Sequence, residues 1–159
     1  QAELVSKFLN IPKISTGDIF RELMQEDTDE GKRIKDIYAA GGLIDDKTTS
    51  EIVSKRVTKE DCKNGFILDG YPRNVLQINM FDPGFDKVIY LNVAKEEVME
   101  RLLSRGRVDD TEKLIDKRLE LYYGQTQPLI NYYKDKGILI EIDGIGDVVK
   151  IQDEIKKYI

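Results

Sequence analysis

The residues with the clearest potential for chemistry are an aspartate and an arginine in the stretch GFILDGYPRN, residues 65–74. Asp69 follows an apolar run that is typical of a buried parallel strand, and ligands of open α/β sheets bind beyond the carboxyl ends of such strands. An aspartate in this place can order water around a divalent cation, and Arg73 can bind a phosphate through two parallel hydrogen bonds. An ordinary Asp-Gly turn with a surface salt bridge is the alternative interpretation.

A second segment with chemical potential is ISTGDIFR, residues 14–21, where a predicted strand ends and a helix begins. Ser15 and Asp18 have the spacing of a helix-capping pair. Backbone N–H groups near Thr16 and Gly17, with Arg21 one turn further on, suit an anion such as a phosphate. The alternative is an ordinary helix cap with a solvent-exposed arginine.

Three arginines cluster in the segment RLLSRGR, residues 101–107. Arg101 and Arg105 are four residues apart on one helix face, which is unfavourable unless an anion or a carboxylate lies near them. Arg107 follows at once in a short connecting segment. The cluster therefore predicts a site for a phosphate or for acidic side chains.

Arg118 lies beside the inward-facing apolar stripe of its predicted helix, which includes Leu114 and Ile115. An unpaired guanidinium in that place is costly, so we expect either a buried carboxylate or a bound phosphate to meet it. Asp109 and Asp110 are the available internal partners, and a purely structural network with them stays open as an alternative.

The composition restricts the classes of function. The chain of 159 residues has a net charge of -5, which argues against non-specific binding to nucleic acid or to an anionic membrane. It contains no histidine and one cysteine, Cys62, so a histidine-based triad and a thiolate zinc cluster are excluded. No long apolar stretch or signal peptide is visible, which predicts a cytoplasmic protein. Several arginines and one strand-end aspartate are consistent with phosphoryl transfer by positioning and charge neutralisation.

The predicted secondary structure around these residues follows an α/β pattern. Four short apolar runs, which begin at Ile11, Gly65, Lys87 and Ile138, predict strands of a parallel sheet flanked by helices. The segment between the first two runs contains only helical patterns. It is longer than a crossover connection requires, so we expect a helical insertion that covers a substrate. Pro128 is expected to bend the long helical stretch that follows residue 111.

With these motifs in place, the chain resembles the adenylate kinase family of nucleoside monophosphate kinases. The resemblance runs from end to end, through QAELVSKFLNIPKISTGDIFR, GGLIDD, GFILDGYPRN, RLLSRGRVDD, KRLELYYGQTQPLINYY and IEIDG in the family's order. It implies the fold of P-loop-containing nucleoside triphosphate hydrolases. The implied reaction is reversible transfer between ATP and AMP that gives ADP, with Mg²⁺ accompanying ATP, and the implied role is adenine nucleotide homeostasis.

The resemblance also implies roles for individual residues. The implied AMP-binding residues are Thr16, Arg21, Leu43, Ile44, Gly70, Tyr71, Pro72, Arg73, Gln77, Arg107 and Arg118. The implied ATP-binding residues are Arg101, Arg105 and Gly146. The implied catalytic residues are Asp69, Arg73, Arg101, Arg105, Arg107 and Arg118. Asp69 would contact Mg²⁺ through water, Arg73 would bind the AMP phosphate, and Gln77 would contact the adenine edge.

The implied domain organisation is a core domain with a helical insertion and a short lid. The core would comprise residues 1–14, 45–103 and 111–159, the AMP-binding insertion residues 15–44, and the reduced lid residues 104–110. The glycine-rich phosphate loop of the family, together with a strand in the middle of the sheet, is expected ahead of Gln1. We therefore expect the chain to be a piece of a longer protein, and expect it to need that loop for activity.

Two alternatives to AMP phosphorylation stay open. A kinase for UMP or CMP is similar in pattern, although those enzymes usually carry Ala at the position of Thr16 and Asn at the position of Gln77. A catalytically inactive AMP-binding module is the second alternative, because the phosphate loop is not part of the sequence.

Overall fold

The computed structural model describes residues 1–159 apart from Gly41, Leu43, Val108 and Asp109. The four predicted strands are confirmed, as β1 (Lys13–Ser15), β2 (Ile67–Asp69), β3 (Val88–Asn92) and β4 (Leu139–Asp143). The α-helices of the described residues are α1 (Ala2–Leu9), α2 (Thr16–Leu23), α3 (Asp29–Ala39), α4 (Asp46–Val57), α5 (Val75–Met80), α6 (Lys95–Arg105), α7 (Glu112–Leu121), α8 (Pro128–Asp135) and α9 (Val148–Ile155). The predicted α/β architecture is therefore confirmed.

The strands pair in parallel, as their continuous apolar character predicts. β1 pairs with β2, with Ser15 opposite Asp69, and β3 pairs with β4, with Asn92 opposite Asp143. Strands β2 and β3 do not pair with each other, and a cavity of about 1010 Å³ lies between them.

The chain between β1 and β2 has an apolar cluster of its own. Phe20, Ile34 and Ile44 are buried together, and flanking side chains from α2, α3 and α4 pack against them. The helix caps follow the sequence pattern, since the Ser15 side chain accepts from the N–H of Asp18 and the Asp45 side chain accepts from the N–H of Thr48. The predicted helical insertion is thus present as helices that share a core.

Two other apolar clusters support the strands. Ile142 of β4 packs with α1 and α9 through Val5, Ile151 and Ile155. On another side, Ile78, Leu129 and Tyr133 form a cluster with Val88 and Leu139 at its edge. Ile67 of β2 and Ile89 and Leu91 of β3 also pack against the first of these clusters, so both strands are supported by the core.

The long helical stretch after Thr111 is interrupted as predicted. Helix α7 ends at Leu121, residues Tyr122–Thr126 form one π-helical turn, and Pro128 then begins α8. A proline is favourable in the first turn of a helix, because its missing N–H has no intrahelical partner there. Among the described residues, no helix is long and apolar enough to cross a membrane.

Candidate active site

A cavity of about 270 Å³ lies at the ends of β1 and β2, between the helical insertion and helices α6 and α7. Many of the residues expected to act together line it: Thr16, Arg21, Ile44, Asp69, Gly70, Arg73, Gln77, Arg105, Arg107 and Arg118. Segments that are far apart in the sequence therefore meet at one point. Four arginines besides Arg73 face the same small space, so the cavity is suited to an anion.

The two strand ends are tied together by Thr16 and Gly70. The Thr16 side chain is 2% exposed, and its hydroxyl donates to the carbonyl of Gly70 at 3.1 Å. Gly70 has φ of 85°, in the left-handed region that side chains rarely adopt. A Cβ atom there would lie 2.7 Å from Thr16 Oγ1 and 3.2 Å from Arg73 Nη2. The turn that presents Arg73 therefore requires glycine.

The guanidinium of Arg73 is held by neutral groups. Its Nε donates to the Gly70 carbonyl at 3.0 Å, and its backbone N–H donates to Gln77 Oε1 at 2.7 Å. No carboxylate forms an ion pair with it among the residues that the structure describes. Burial lowers the pKa of the Arg73 guanidinium from its ordinary value. The charge is thus partly desolvated and still able to accept an anion.

Arg21 faces the same cavity but has an internal partner. Its Nη2 donates to Asp18 Oδ1, and Lys13 Nζ lies 3.5 Å from Asp18 Oδ2. The hydrogen bond from Arg21 is the main cause that lowers the pKa of the Asp18 carboxyl. An anion at Arg21 must therefore share it with Asp18.

Asp110 organises the other arginines of the site. Its side chain is fully buried, and Arg105 donates to both of its carboxylate oxygens, at 2.8 and 2.7 Å. The backbone N–H of Arg107 and Nη1 of Arg118 also donate to it, at 3.2 and 3.4 Å. These contacts, above all the hydrogen bond from Arg105, lower the pKa of the Asp110 carboxyl. The carboxylate expected to meet Arg118 is therefore found at Asp110, while Asp109 lies outside the described residues.

Arg101 does not line the cavity. Its Nε donates to Glu97 at 2.6 Å and its Nη1 to the carbonyl of Gly144 at 2.9 Å. Arg101 and Arg105 thus contact two different carboxylates rather than one shared anion. The contact with Gly144 places Arg101 against the loop that contains Gly146, so two of the three expected ATP-binding residues lie near each other.

Two other expected AMP-binding residues, Tyr71 and Pro72, do not line this cavity. Tyr71 and Pro72 line the larger cavity between β2 and β3. The buried Tyr71 hydroxyl lies 2.9 and 2.7 Å from the carbonyl oxygens of Gln77 and Phe81, which share its single proton, so these contacts anchor the turn. Leu43 lies outside the described residues.

Tyr38 and Asp46 escaped the sequence interpretation of the site. Tyr38 of α3 lines the cavity, and its ring packs edge-on against Phe20 at a centroid distance of 6.4 Å. Its helical spacing identifies it only as an inward-facing residue, and the inward face of α3 adjoins the cavity. Asp46 accepts hydrogen bonds at 2.8 Å from Asn74 and from Gln77, which are distant in sequence. No local pattern signals such a contact.

The acidic residues of the described chain form no cluster of three that could hold a metal ion by themselves. Asp69 is a single exposed carboxylate at the end of β2, and it lines the cavity. Mg²⁺ commonly binds through water, substrate phosphates and one or two carboxylates. The donor set therefore fits a magnesium ion that arrives with a nucleotide.

Comparisons with known proteins show the family to which the chain is similar. A family model described as adenylate kinase matches residues 1–138. The adenylate kinase of Bifidobacterium longum is 41% identical over 170 residues, which cover 100% of this chain and 91% of that protein. The adenylate kinase of Kocuria rhizophila is 40% identical, with 98% and 88% covered, and that of Caldicellulosiruptor bescii is 37% identical, with 99% and 91% covered.

Proposed function

Since the chain belongs to the adenylate kinase family, we propose that this protein transfers the γ-phosphoryl group of ATP to AMP and forms two molecules of ADP. The observation that carries the proposal is the guanidinium of Arg73, which has no ion-pair partner within the described part of the chain. It faces a cavity shared with Arg21, Arg105, Arg107 and Arg118. A buried arginine whose hydrogen bond goes to a neutral carbonyl is well suited to bind an anionic substrate.

In this assignment, the acceptor AMP occupies the cavity at the ends of β1 and β2. Arg73 binds its phosphate, and Arg21 contributes a second guanidinium. The base lies toward Gln77 and Ile44, with Leu43 as a further contact proposed from the resemblance. Thr16 supports this arrangement because it fixes the carbonyl of Gly70, which in turn binds Arg73.

Arg105, Arg107 and Arg118 neutralise the charge of the phosphoryl group during transfer. Asp110 holds two of these guanidinium groups and the backbone of the third residue in fixed positions, so little reorganisation is needed when substrates bind. Arg101 and Gly146 are proposed to contact ATP on the side of the Gly144 carbonyl.

The chemistry requires no general base from the protein. An oxygen of the AMP phosphate attacks the γ-phosphorus of ATP, a new P–O bond forms, and the bond to the β-phosphate oxygen breaks, with ADP as the leaving group. Because the attacking oxygen is already ionised, positioning and charge neutralisation are sufficient. Mg²⁺ would reduce the charge of the ATP phosphates, and Asp69 is the residue that would hold its water ligands.

The three-part organisation is part of the same proposal. Residues 15–44 are the AMP-binding insertion, residues 104–110 the reduced lid, and residues 1–14, 45–103 and 111–159 the core. The separate apolar cluster of Phe20, Ile34 and Ile44 supports an insertion that can move as a unit. The cytoplasmic location expected from the sequence stays a prediction.

A coupled assay for ADP across AMP, CMP, UMP and GMP tests the proposed substrate. We expect MgATP-dependent turnover with AMP that exceeds turnover with the other acceptors. Turnover confined to CMP or UMP would instead identify a pyrimidine nucleotide kinase. AMP-dependent thermal stabilisation without any turnover would identify a binding module.

A further inference from the structure

The side chain of Gln77 is fixed at both ends of its carboxamide. It is 2% exposed, although it lines the cavity. Its Oε1 accepts from the backbone N–H of Arg73 at 2.7 Å, and its Nε2 donates to Oδ1 of Asp46 at 2.8 Å. The carboxamide therefore bridges the turn of Arg73 and the first turn of α4.

The chemistry of these two partners permits one orientation of the carboxamide. A backbone N–H can only donate, and a carboxylate can only accept. A flipped carboxamide would direct its NH₂ group at the N–H of Arg73 and its oxygen at the carboxylate of Asp46. Both contacts would then be repulsive, so Arg73 and Asp46 together determine which end of Gln77 lies where.

Asp46 is itself held in place. It is the first residue of α4, where the helix dipole favours a negative charge. The same Oδ1 atom accepts from Asn74 Nδ2 at 2.8 Å, and Asn74 Oδ1 accepts from the N–H of Gln77 at 2.9 Å to cap α5. Asp46, Asn74 and Gln77 thus form a closed ring of hydrogen bonds that joins α4 to α5.

After these contacts, Gln77 keeps one N–H and one lone pair of Oε1. The free lone pair of Oε1 can accept from the 6-amino group of adenine, and the free N–H can donate to a neighbouring ring nitrogen. Hypoxanthine carries an oxygen at position 6, which accepts rather than donates. A carboxamide locked with its oxygen toward position 6 therefore distinguishes the two bases.

We propose that Asp46 is a positioning residue that sets the polarity of Gln77 and thereby selects a 6-aminopurine nucleotide over a 6-oxopurine nucleotide. This inference rests on the proposed function, because it assumes that the base of AMP lies at Gln77. Asp46 acts through its acceptor oxygen rather than through its charge.

Calorimetric titration of AMP and of IMP into wild-type protein and its variants tests the inference. Asp46→Ala removes the acceptor, and we expect the preference for AMP over IMP to fall about tenfold, the effect of one lost hydrogen bond. Asp46→Asn removes the charge but keeps an acceptor oxygen, and we expect it to retain the wild-type preference. Asp45→Ala is the matched control, because it removes the neighbouring helix cap and leaves Gln77 untouched.

The outcomes separate the inference from the proposed function. An unchanged preference in Asp46→Ala overturns the inference, and so does an equal loss in Asp46→Ala and Asp46→Asn, which would assign the effect to charge. Asp46→Leu, which also removes the acceptor, replaces Asp46→Ala if thermal unfolding shows that the alanine variant does not fold. A wild-type protein that binds neither nucleotide contradicts the AMP site itself, and with it this inference.

Discussion

The hydroxyl of Thr16 donates to the carbonyl of Gly70 at 3.1 Å and so joins the end of β1 to the end of β2. Gly70→Ala would place a Cβ atom 2.7 Å from that hydroxyl, at a φ of +85°. We expect this variant to lose about 1–3 kcal/mol of unfolding free energy, because both the contact and the backbone conformation are unfavourable.

A double-mutant cycle identifies the steric part of this loss. Thr16→Ala removes the contacted oxygen, so Gly70→Ala should cost less in the Thr16→Ala background than in the wild type. The measurement is urea unfolding of the four proteins. If the losses of unfolding free energy in the two single variants add up in the double variant, the new Cβ atom does not clash with the Thr16 hydroxyl.

Arg73→Met separates binding from stability. The charge has no ion pair within the described residues, and burial already lowers the pKa of the guanidinium. We expect the unfolding free energy to change by no more than about 1 kcal/mol, the value of the hydrogen bond to Gly70. AMP binding should weaken at least about 100-fold, because two charge-assisted hydrogen bonds to phosphate are lost. Calorimetry and thermal unfolding of the same preparation check both effects, and AMP affinity close to that of the wild type would remove Arg73 from the site.

Asp110→Asn should reduce both turnover and stability. The variant replaces the buried carboxylate that Arg105 and Arg118 contact with a neutral amide, and we expect a loss of about 1–3 kcal/mol in unfolding free energy. Asp153→Asn is the control, since Asp153 forms a surface pair with Lys156 at 3.2 Å and is far less buried than Asp110. Urea unfolding and ADP formation are the measurements, and equal effects of the two variants would contradict the role of Asp110.

The contribution of Asp110 should also depend on pH. Its pKa in the folded state is lowered, mainly by the hydrogen bond from Arg105, so the ionised carboxylate stabilises the fold above the unfolded-state pKa of about 4. That contribution is lost as the pH falls through the folded-state pKa. We expect the stability difference between wild type and Asp110→Asn to be constant from about pH 7 to pH 5 and to shrink below about pH 4. A difference that does not change with pH would refute the assignment.

Lys117 joins α7 to the helical insertion, because its Nζ donates to the carbonyl of Ala40 at 2.7 Å. Lys117→Met should increase amide hydrogen exchange in α3, while global stability changes by less than about 1 kcal/mol. Lys113→Met on the same helix is the matched control. Equal exchange in α3 for both variants would show that the Lys117 contact does not restrain the insertion.

The sequence predicted the elements that depend on local pattern. Apolar runs identified all four strands, and the spacing of Ser15 and Asp18 identified the start of α2. The sequence also predicted that Arg118 meets a carboxylate or a phosphate, because a guanidinium beside the inward-facing stripe of a helix needs an anion. These inferences depend only on residues close together in the sequence and on the free-energy cost of burying a charged group.

The contacts that orient the site could not be predicted in this way. Asp46 and Gln77 are 31 positions apart, and their hydrogen bond depends on how α4 packs against α5. Tyr38 has the spacing of a core residue, and only the tertiary fold shows that its face of α3 adjoins the cavity. Tertiary packing rather than local pattern determines which inward-facing residues meet a ligand.

Phosphorus NMR of the protein with MgATP and AMP follows the proposed phosphoryl transfer to AMP. We expect the AMP and ATP signals to fall together while ADP rises, with two molecules of ADP formed for each AMP consumed, and we expect ADP alone to give ATP and AMP. Arg73→Met under the same conditions should slow this exchange by at least about 100-fold. An AMP signal that stays constant, or ADP that forms with release of inorganic phosphate and without loss of AMP, would contradict phosphoryl transfer to AMP.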